Sequence, residues 1–172
     1  VSICAVLVVM VAVVSYAGDG LEFEQLAAIR TVNEVAVAPG GSFVAYTLDV
    51  PRRIGVEPDG KAWRELLVVS VEGGADAPYV SGSVNVSKIG FSPDGQLITY
   101  LAKRGDDAHT SLWAIPLSGG ESRRLLAFET AITDYRISPD GKTVAFVAKE
   151  PVSVDRAQRE VAGFDQEVFE ED

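Results

Sequence analysis

The sequence predicts an all-β fold, a partial β-propeller of about three four-stranded blades preceded by a signal peptide and a short helix. Three observations carry this. VAPGGSFVAY (37–46), FSPDGQLITY (91–100) and ISPDGKTVAF (137–146) align without gaps. ELLVVSVEGGA (65–75) and SLWAIPLSGGE (111–121) align at an offset of 46, the offset that also separates the last two of those segments. Each apolar run is bounded by a Pro-Asp-Gly or Gly-Gly turn, so four antiparallel strands fit each unit of 40–50 residues.

Residues 1–17 hold no charge. Seventeen apolar or small residues are short for a bilayer span, which needs about 20. They suit the apolar core of a secretory signal, with small residues at Ser15 and Ala17 placing cleavage after Ala17. Export to the periplasm or medium follows, with no membrane span left after cleavage. Residues 18–33 then form a linker in which Leu21, Phe23, Leu26, Ala27 and Ile29 recur at helical spacing, predicting a short helix over 22–30.

From Glu34 the period becomes that of strands. In each blade an apolar strand meets a turn: Pro39 and Gly41 in the first, Pro93-Asp94-Gly95 in the second, Pro139-Asp140-Gly141 in the third. Proline presets φ, aspartate bonds its own backbone, and glycine takes positive φ, so the turn joins two antiparallel neighbours. After the second strand comes a loop, then a third strand ending at Gly73-Gly74 or Gly119-Gly120, then a short fourth strand. On the second strand of the second blade, Leu97, Thr99 and Leu101 alternate with Ile98, Tyr100 and Ala102. Both faces are largely apolar, as expected of a strand covered on both sides.

The blades span about 34–85, 86–131 and 132–149 onward. The first is longer because DVPRRIGVEPDGKAW is inserted between its second and third strands, and Pro58-Asp59-Gly60 reads as a turn inside that loop. The third loses the pattern after Glu150, where 150–172 carries eight acidic and two basic residues, a solvated acidic loop. The chain opens on Val1 and closes on charges, and so reads as a portion of a longer protein in which further blades would close the propeller.

Composition excludes several function classes. With Ala17 as the last signal residue the mature chain holds no cysteine, which removes disulfide and thiolate chemistry. One histidine, His109, excludes a multi-histidine metal site, and no cofactor motif is present. The net charge of −10 argues against nucleic-acid binding.

The order of signal, LEFEQLAAI-like helix, and blades carrying SPDG-type turns and LW-type strands ending in GGE resembles the N-terminal region of the prolyl oligopeptidase family, over about residues 21–149. The similarity is greatest to its secreted, acylaminoacyl-peptidase-like branch. The resemblance implies a propeller that caps an α/β-hydrolase domain and limits entry to short peptides. It also implies a Ser-Asp-His triad with serine on a Gly-x-Ser-x-Gly elbow. No Gly-x-Ser-x-Gly occurs in these 172 residues, so no catalytic residue is carried over and the chain alone is expected to be inactive. The implied partners are further blades, a hydrolase domain of the same chain, and peptide substrates. The same blade motif is shared with TolB-like periplasmic propellers, which bind proteins; a non-enzymatic docking propeller is the alternative.

Several residues admit a sharper reading beside a structural one. Asp94 and Asp140 read as turn residues rather than functional carboxylates. Asp106, Asp107 and His109 read as an exposed loop rather than a metal site. Trp113 reads as blade packing. Trp63, placed in the inserted loop, is a candidate to face a ligand or another domain. Arg52-Arg53 and Arg123-Arg124 are candidate carboxylate binders in a central channel, with solvated edge positions as the simpler account.

Overall fold

The computed structural model describes residue 25 and residues 28–151. Residues 1–17 with the Ala17 cleavage position, most of the 22–30 helix, and nearly all of the 150–172 acidic loop lie outside the described residues. Among the described residues, no helix is long and apolar enough to cross a membrane.

Ten strands follow in order. They are β1 (Thr31–Val37), β2 (Phe43–Val50), β3 (Trp63–Ser70), β4 (Ala77–Val80), β5 (Ser87–Phe91), β6 (Leu97–Ala102), β7 (Ser111–Pro116), β8 (Arg123–Leu126), β9 (Ile132–Ile137) and β10 (Val144–Ala148). They form two four-stranded sheets, β1-β2-β3-β4 and β5-β6-β7-β8, and a two-stranded sheet of β9 and β10. Every pairing within these sheets is antiparallel. Sequential strands pair in order because each turn is short enough to return the chain beside itself.

The three Pro-turns share one backbone design. Gly41, Gly95 and Gly141 take φ of 71°, 70° and 71°, a region where a Cβ is strained. Their N–H groups donate to the carbonyls of Ala38, Ser92 and Ser138, each at 2.8 Å. In the second and third turns a side-chain layer is added. The Ser92 hydroxyl donates to Asp94 Oδ1 at 2.5 Å, Asp94 Oδ1 accepts the Gln96 N–H at 3.1 Å, and Ser92 Oγ accepts the Leu97 N–H at 2.9 Å. Ser138, Asp140, Lys142 and Thr143 repeat this at 2.5, 3.1 and 3.0 Å. The first turn has Ala38 and Gly40 at the matching positions and keeps only the backbone bonds. At the other turns Gly73 and Gly119 donate to the carbonyls of Ser70 and Pro116.

The sheets stack face to face, and β6 is covered on both sides. Ile98, Tyr100 and Ala102 pack with Ala45, Leu66 and Val68 of the first blade. Leu101 packs with Leu112 of its own blade and with Ile132 and Tyr135 of the third. Each fully buried side chain of this size stabilises the stack by about 1.5–3 kcal/mol. The neighbours approach through their leading strands: β5 packs on β1 and β2, and β9 on β6. Away from that edge, the segment between β4 and β5 runs beside the start of β3, where Arg64 N–H donates to Val84 O at 2.9 Å and Val86 N–H to Arg64 O at 3.0 Å.

The two outer faces of the stack are not covered. Val35 and Val37 are 60% and 61% exposed, and at the other end Val147 is 59% exposed.

Two details differ from the sequence reading. β1 begins at Thr31 rather than Glu34, because an extra residue between Val32 and Val35 interrupts the alternation and hides the first pairs, Thr31 with Asp49 and Val32 with Leu48. Trp63 is not in the inserted loop. It opens β3, paired with Val50, so the insert closes to residues 51–62.

Candidate functional site

The chain's one histidine, His109, lies in the loop between β6 and β7, where its carbonyl accepts the Ser111 hydroxyl at 3.3 Å. Among the described residues, no three His, Cys, Asp or Glu side chains group to hold a metal ion. Asp107 in the same loop is buried, not exposed. It accepts the Trp113 indole N–H at 3.2 Å, the Arg104 N–H at 3.3 Å, and a charge-assisted bond from Arg124. Burial alone would raise its pKa, but these donors outweigh it and hold the carboxyl below the usual range. Asp107 therefore fixes the loop to the blade.

Of the candidate channel arginines, Arg52, Arg53 and Arg124 are engaged in local contacts. Arg52 lies over the Trp63 ring at 4.0 Å and donates to the carbonyls of Lys61 and Pro58 at 2.8 and 2.9 Å. Its guanidinium lies where a Cβ on residue 60 would come within 2.7 Å of it, so Gly60 makes room for it. Trp63 Nε1 donates to Glu57 Oε1 at 3.0 Å, and Arg53 pairs with Glu57 at 3.7 Å. The insert is thus a folded knob. Arg123 and Arg124 lie on β8, at the edge of their sheet farthest from β5.

A different set of charged residues gathers on the leading strands. β1, β5 and β9 each take one extra residue against their partner, between Val32 and Val35, between Ser87 and Gly90, and at Thr133. These are β-bulges within one three-residue window of the repeat. A bulge leaves backbone groups without ladder partners and re-aims side chains. The gapless alignment puts Glu34, Lys88 and Asp134 in a single column there.

The bulge groups are satisfied locally and across blades. Glu34 N–H donates to Thr47 Oγ1 at 2.9 Å, and Ile89 N–H donates across the blade boundary to Glu34 Oε2 at 3.1 Å. Asp134 Oδ1 accepts the Tyr135 N–H at 2.9 Å, while its Oδ2 faces Lys88 Nζ at 3.8 Å. The Tyr135 N–H is the largest of several contributions holding the Asp134 carboxyl below its ordinary range.

Glu34, Lys88, Ile89 and Tyr135 border a cavity of about 580 Å³ drawn from the leading strands of all three blades. Glu34, Lys88 and Arg136 supply its charges, and Ser92, Thr99 and Tyr135 are its hydroxyl-bearing residues. Residues spread over some hundred positions meet here. The lining presents charged side chains of both signs, and among the described residues that line it no nucleophile stands beside a base.

Comparison with known proteins agrees with this fold. No family model matches the chain. The putative TolB from Agrobacterium tumefaciens superposes with a TM-score of 0.54 at 18% identity, covering 70% of this chain and 39% of that one. The β-propeller domain of the Trilobed protease from Pyrococcus furiosus superposes with a TM-score of 0.52 at 18% identity, covering 69% and 34%. The fold is that of a β-propeller. In sequence the chain is similar to the uncharacterized peptidase YuxL of Bacillus subtilis (strain 168), 26% identical over 121 residues. That alignment covers 70% of this chain and 18% of YuxL, so the chain spans under a fifth of that relative's length.

Proposed function

We propose that the chain is the propeller portion of an exported serine peptidase of the prolyl oligopeptidase family. In this reading the blades gate the access of short peptides to an α/β-hydrolase domain of the same protein. One observation carries it: the identity to YuxL, named a peptidase, extends over 121 residues. No Gly-x-Ser-x-Gly elbow occurs in these 172 residues, so in this reading the blades contribute selection of substrate by size and charge before acyl transfer. The hydrolase would supply a serine, its histidine base and backbone amides for the oxyanion. Export rests on the uncharged 1–17 run with its small residues before Ala17.

A second reading has its own support in the superposition on the Agrobacterium TolB. There the propeller would dock proteins and catalyse nothing.

The test is to purify the protein as its gene encodes it and incubate it with short peptides and with a folded protein. Cleavage of the peptides alone, blocked by a serine-directed fluorophosphonate, supports the gated peptidase. No cleavage, with no serine labelled, removes that reading and favours docking.

A further inference from the structure

Lys88 is the single non-glycine residue with positive φ among the described residues, at 52°. A residue with a Cβ is strained there, and such outliers persist where surrounding structure holds them, often at ligand clamps. Lys88 sits in the β5 bulge, a backbone irregularity that can hold a residue in the left-handed region. What the conformation does is place a cation on the rim of the leading-strand cavity.

The cavity's charges are unequal. Lys88 and Arg136 line it as cations and Glu34 as its carboxylate, in a chain whose net charge is −10. Glu34 already accepts the Ile89 N–H at 3.1 Å. Asp134, which does not line the cavity, holds both cations from one side, Arg136 at 3.1 Å and Lys88 at a loose 3.8 Å. The Lys88 side chain stays 49% exposed and that of Arg136 81% exposed. Two partly solvated cations share one backing carboxylate, and Arg136 Nη1 also donates to the Tyr135 carbonyl at 2.7 Å. Thr99 and Tyr135 also line the cavity, their hydroxyls bonded to each other.

We propose that Lys88 and Arg136 form a binding site for a peptide carboxylate on the leading strands of the propeller. The peptide part of this assignment rests on the peptidase reading. The carboxylate is that of a peptide C-terminus or of an acidic side chain. A guanidinium with an ammonium beside it suits either, since Arg offers a planar fork and Lys a point charge.

The experiment uses the protein as its gene encodes it, with equilibrium binding of N-acetyl-trialanine, its C-terminal amide, and an amide with aspartate at the central position. Wild type should bind the free acid about tenfold more tightly than the plain amide at low salt, the contrast of one charge-assisted hydrogen bond. The preference should shrink as salt rises. Lys88→Gly and Arg136→Gln should each reduce it. Lys88→Gly also relieves the positive φ, so its melting temperature should equal or exceed that of wild type, which separates loss of the site from loss of the fold. If the aspartyl amide binds like the acid, side chains are accepted; if it binds like the plain amide, the C-terminus is the ligand. Both outcomes uphold the site. Equal affinity for acid and plain amide in wild type overturns it, as does a preference that survives both substitutions together. Hydrolysis without carboxylate preference overturns the site and leaves the peptidase reading standing. Carboxylate preference in a protein that cleaves nothing upholds the site and removes the peptidase reading.

Discussion

The Tyr135 hydroxyl donates to Thr99 Oγ1 at 2.8 Å, joining two blades through a buried hydrogen bond 36 residues apart in sequence. Thr99 is 1% exposed and Tyr135 7% exposed. The bond therefore sits where an unmet polar group is expensive. Tyr135→Phe keeps the ring and removes the donor, and should destabilise the chain by about 1–2 kcal/mol. Tyr135→Phe with Thr99→Val should recover part of that loss, because neither polar group then remains. Denaturant midpoints of the two variants check this, and equal losses would refute the coupling.

The same tyrosine gives a pH signature. Burial is the main reason the Tyr135 hydroxyl is pushed up to about 12, and burial with the Asp76 hydrogen bond does the same for Tyr46. Both folded-state values exceed the unfolded value near 10. The neutral form is thus favoured on folding, and this stability is fully present below pH 10 and lost as pH rises from 10 toward 12. Melting temperature should fall across that window. Tyr135→Phe should flatten the fall, as thermal scans at stepped pH would show.

Asp107 carries the opposite sign. Its folded pKa lies below the ordinary value, so its contribution is present above about pH 4 and lost as pH drops further. Asp107→Ala leaves the part-buried Trp113 indole N–H and Arg104 N–H without their acceptor, and should cost about 1–3 kcal/mol at neutral pH. The gap between variant and wild type should narrow on acidification toward pH 2–3. A constant gap would show that packing, not charge, is what was lost.

The turn glycines should be intolerant in a graded way. Gly95→Ala meets both a φ of 70° and the Pro39 ring, with a new Cβ 3.4 Å from Pro39 Cδ. Gly141→Ala meets the φ penalty with open space around it. Each should cost about 1–2 kcal/mol from backbone strain, with Gly95→Ala the worse. Matching midpoints for the two would mean that the Pro39 contact gives way freely.

The uncovered face of the first blade should make the isolated chain self-associate. Val35 and Val37 stand with Val44 and Leu67 on the face opposite Ala45 and Leu66, and no described element packs on it. Exposed apolar surface of this kind favours association. Val35→Thr with Val37→Thr should shift sedimentation toward monomer while leaving the strand intact, since threonine keeps the β-branch. Unchanged association would direct attention to the third blade, where Phe146 and Val147 are exposed.

Much of the fold was legible because it is local. Pro93-Asp94-Gly95 and Pro139-Asp140-Gly141 contain their own turn chemistry, and Ile98 to Ala102 announce two covered faces by alternation alone. Serine before the proline was the overlooked part: Ser92 and Ser138 close those turns from inside. The candidate site was far less legible. Bulges break the period of two, so Glu34, Lys88 and Asp134 do not stand out as one face of a strand. Their shared column in the gapless alignment was the available signal. Asp107, beside Asp106 in a charged stretch, reads as solvated. Its burial depends on Trp113 and Arg124, brought over it by two later strands.

The sequence by itself determined the repeat, the turns and the four-strand unit, because each depends on residues within a few positions of one another. Tertiary structure decided which face of each blade meets which neighbour, where each leading strand bulges, and that Glu34, Lys88, Tyr135 and Arg136 share one cavity. Alternation assigns a strand two faces but names no partner for either, so that choice waits on the stacking of the sheets.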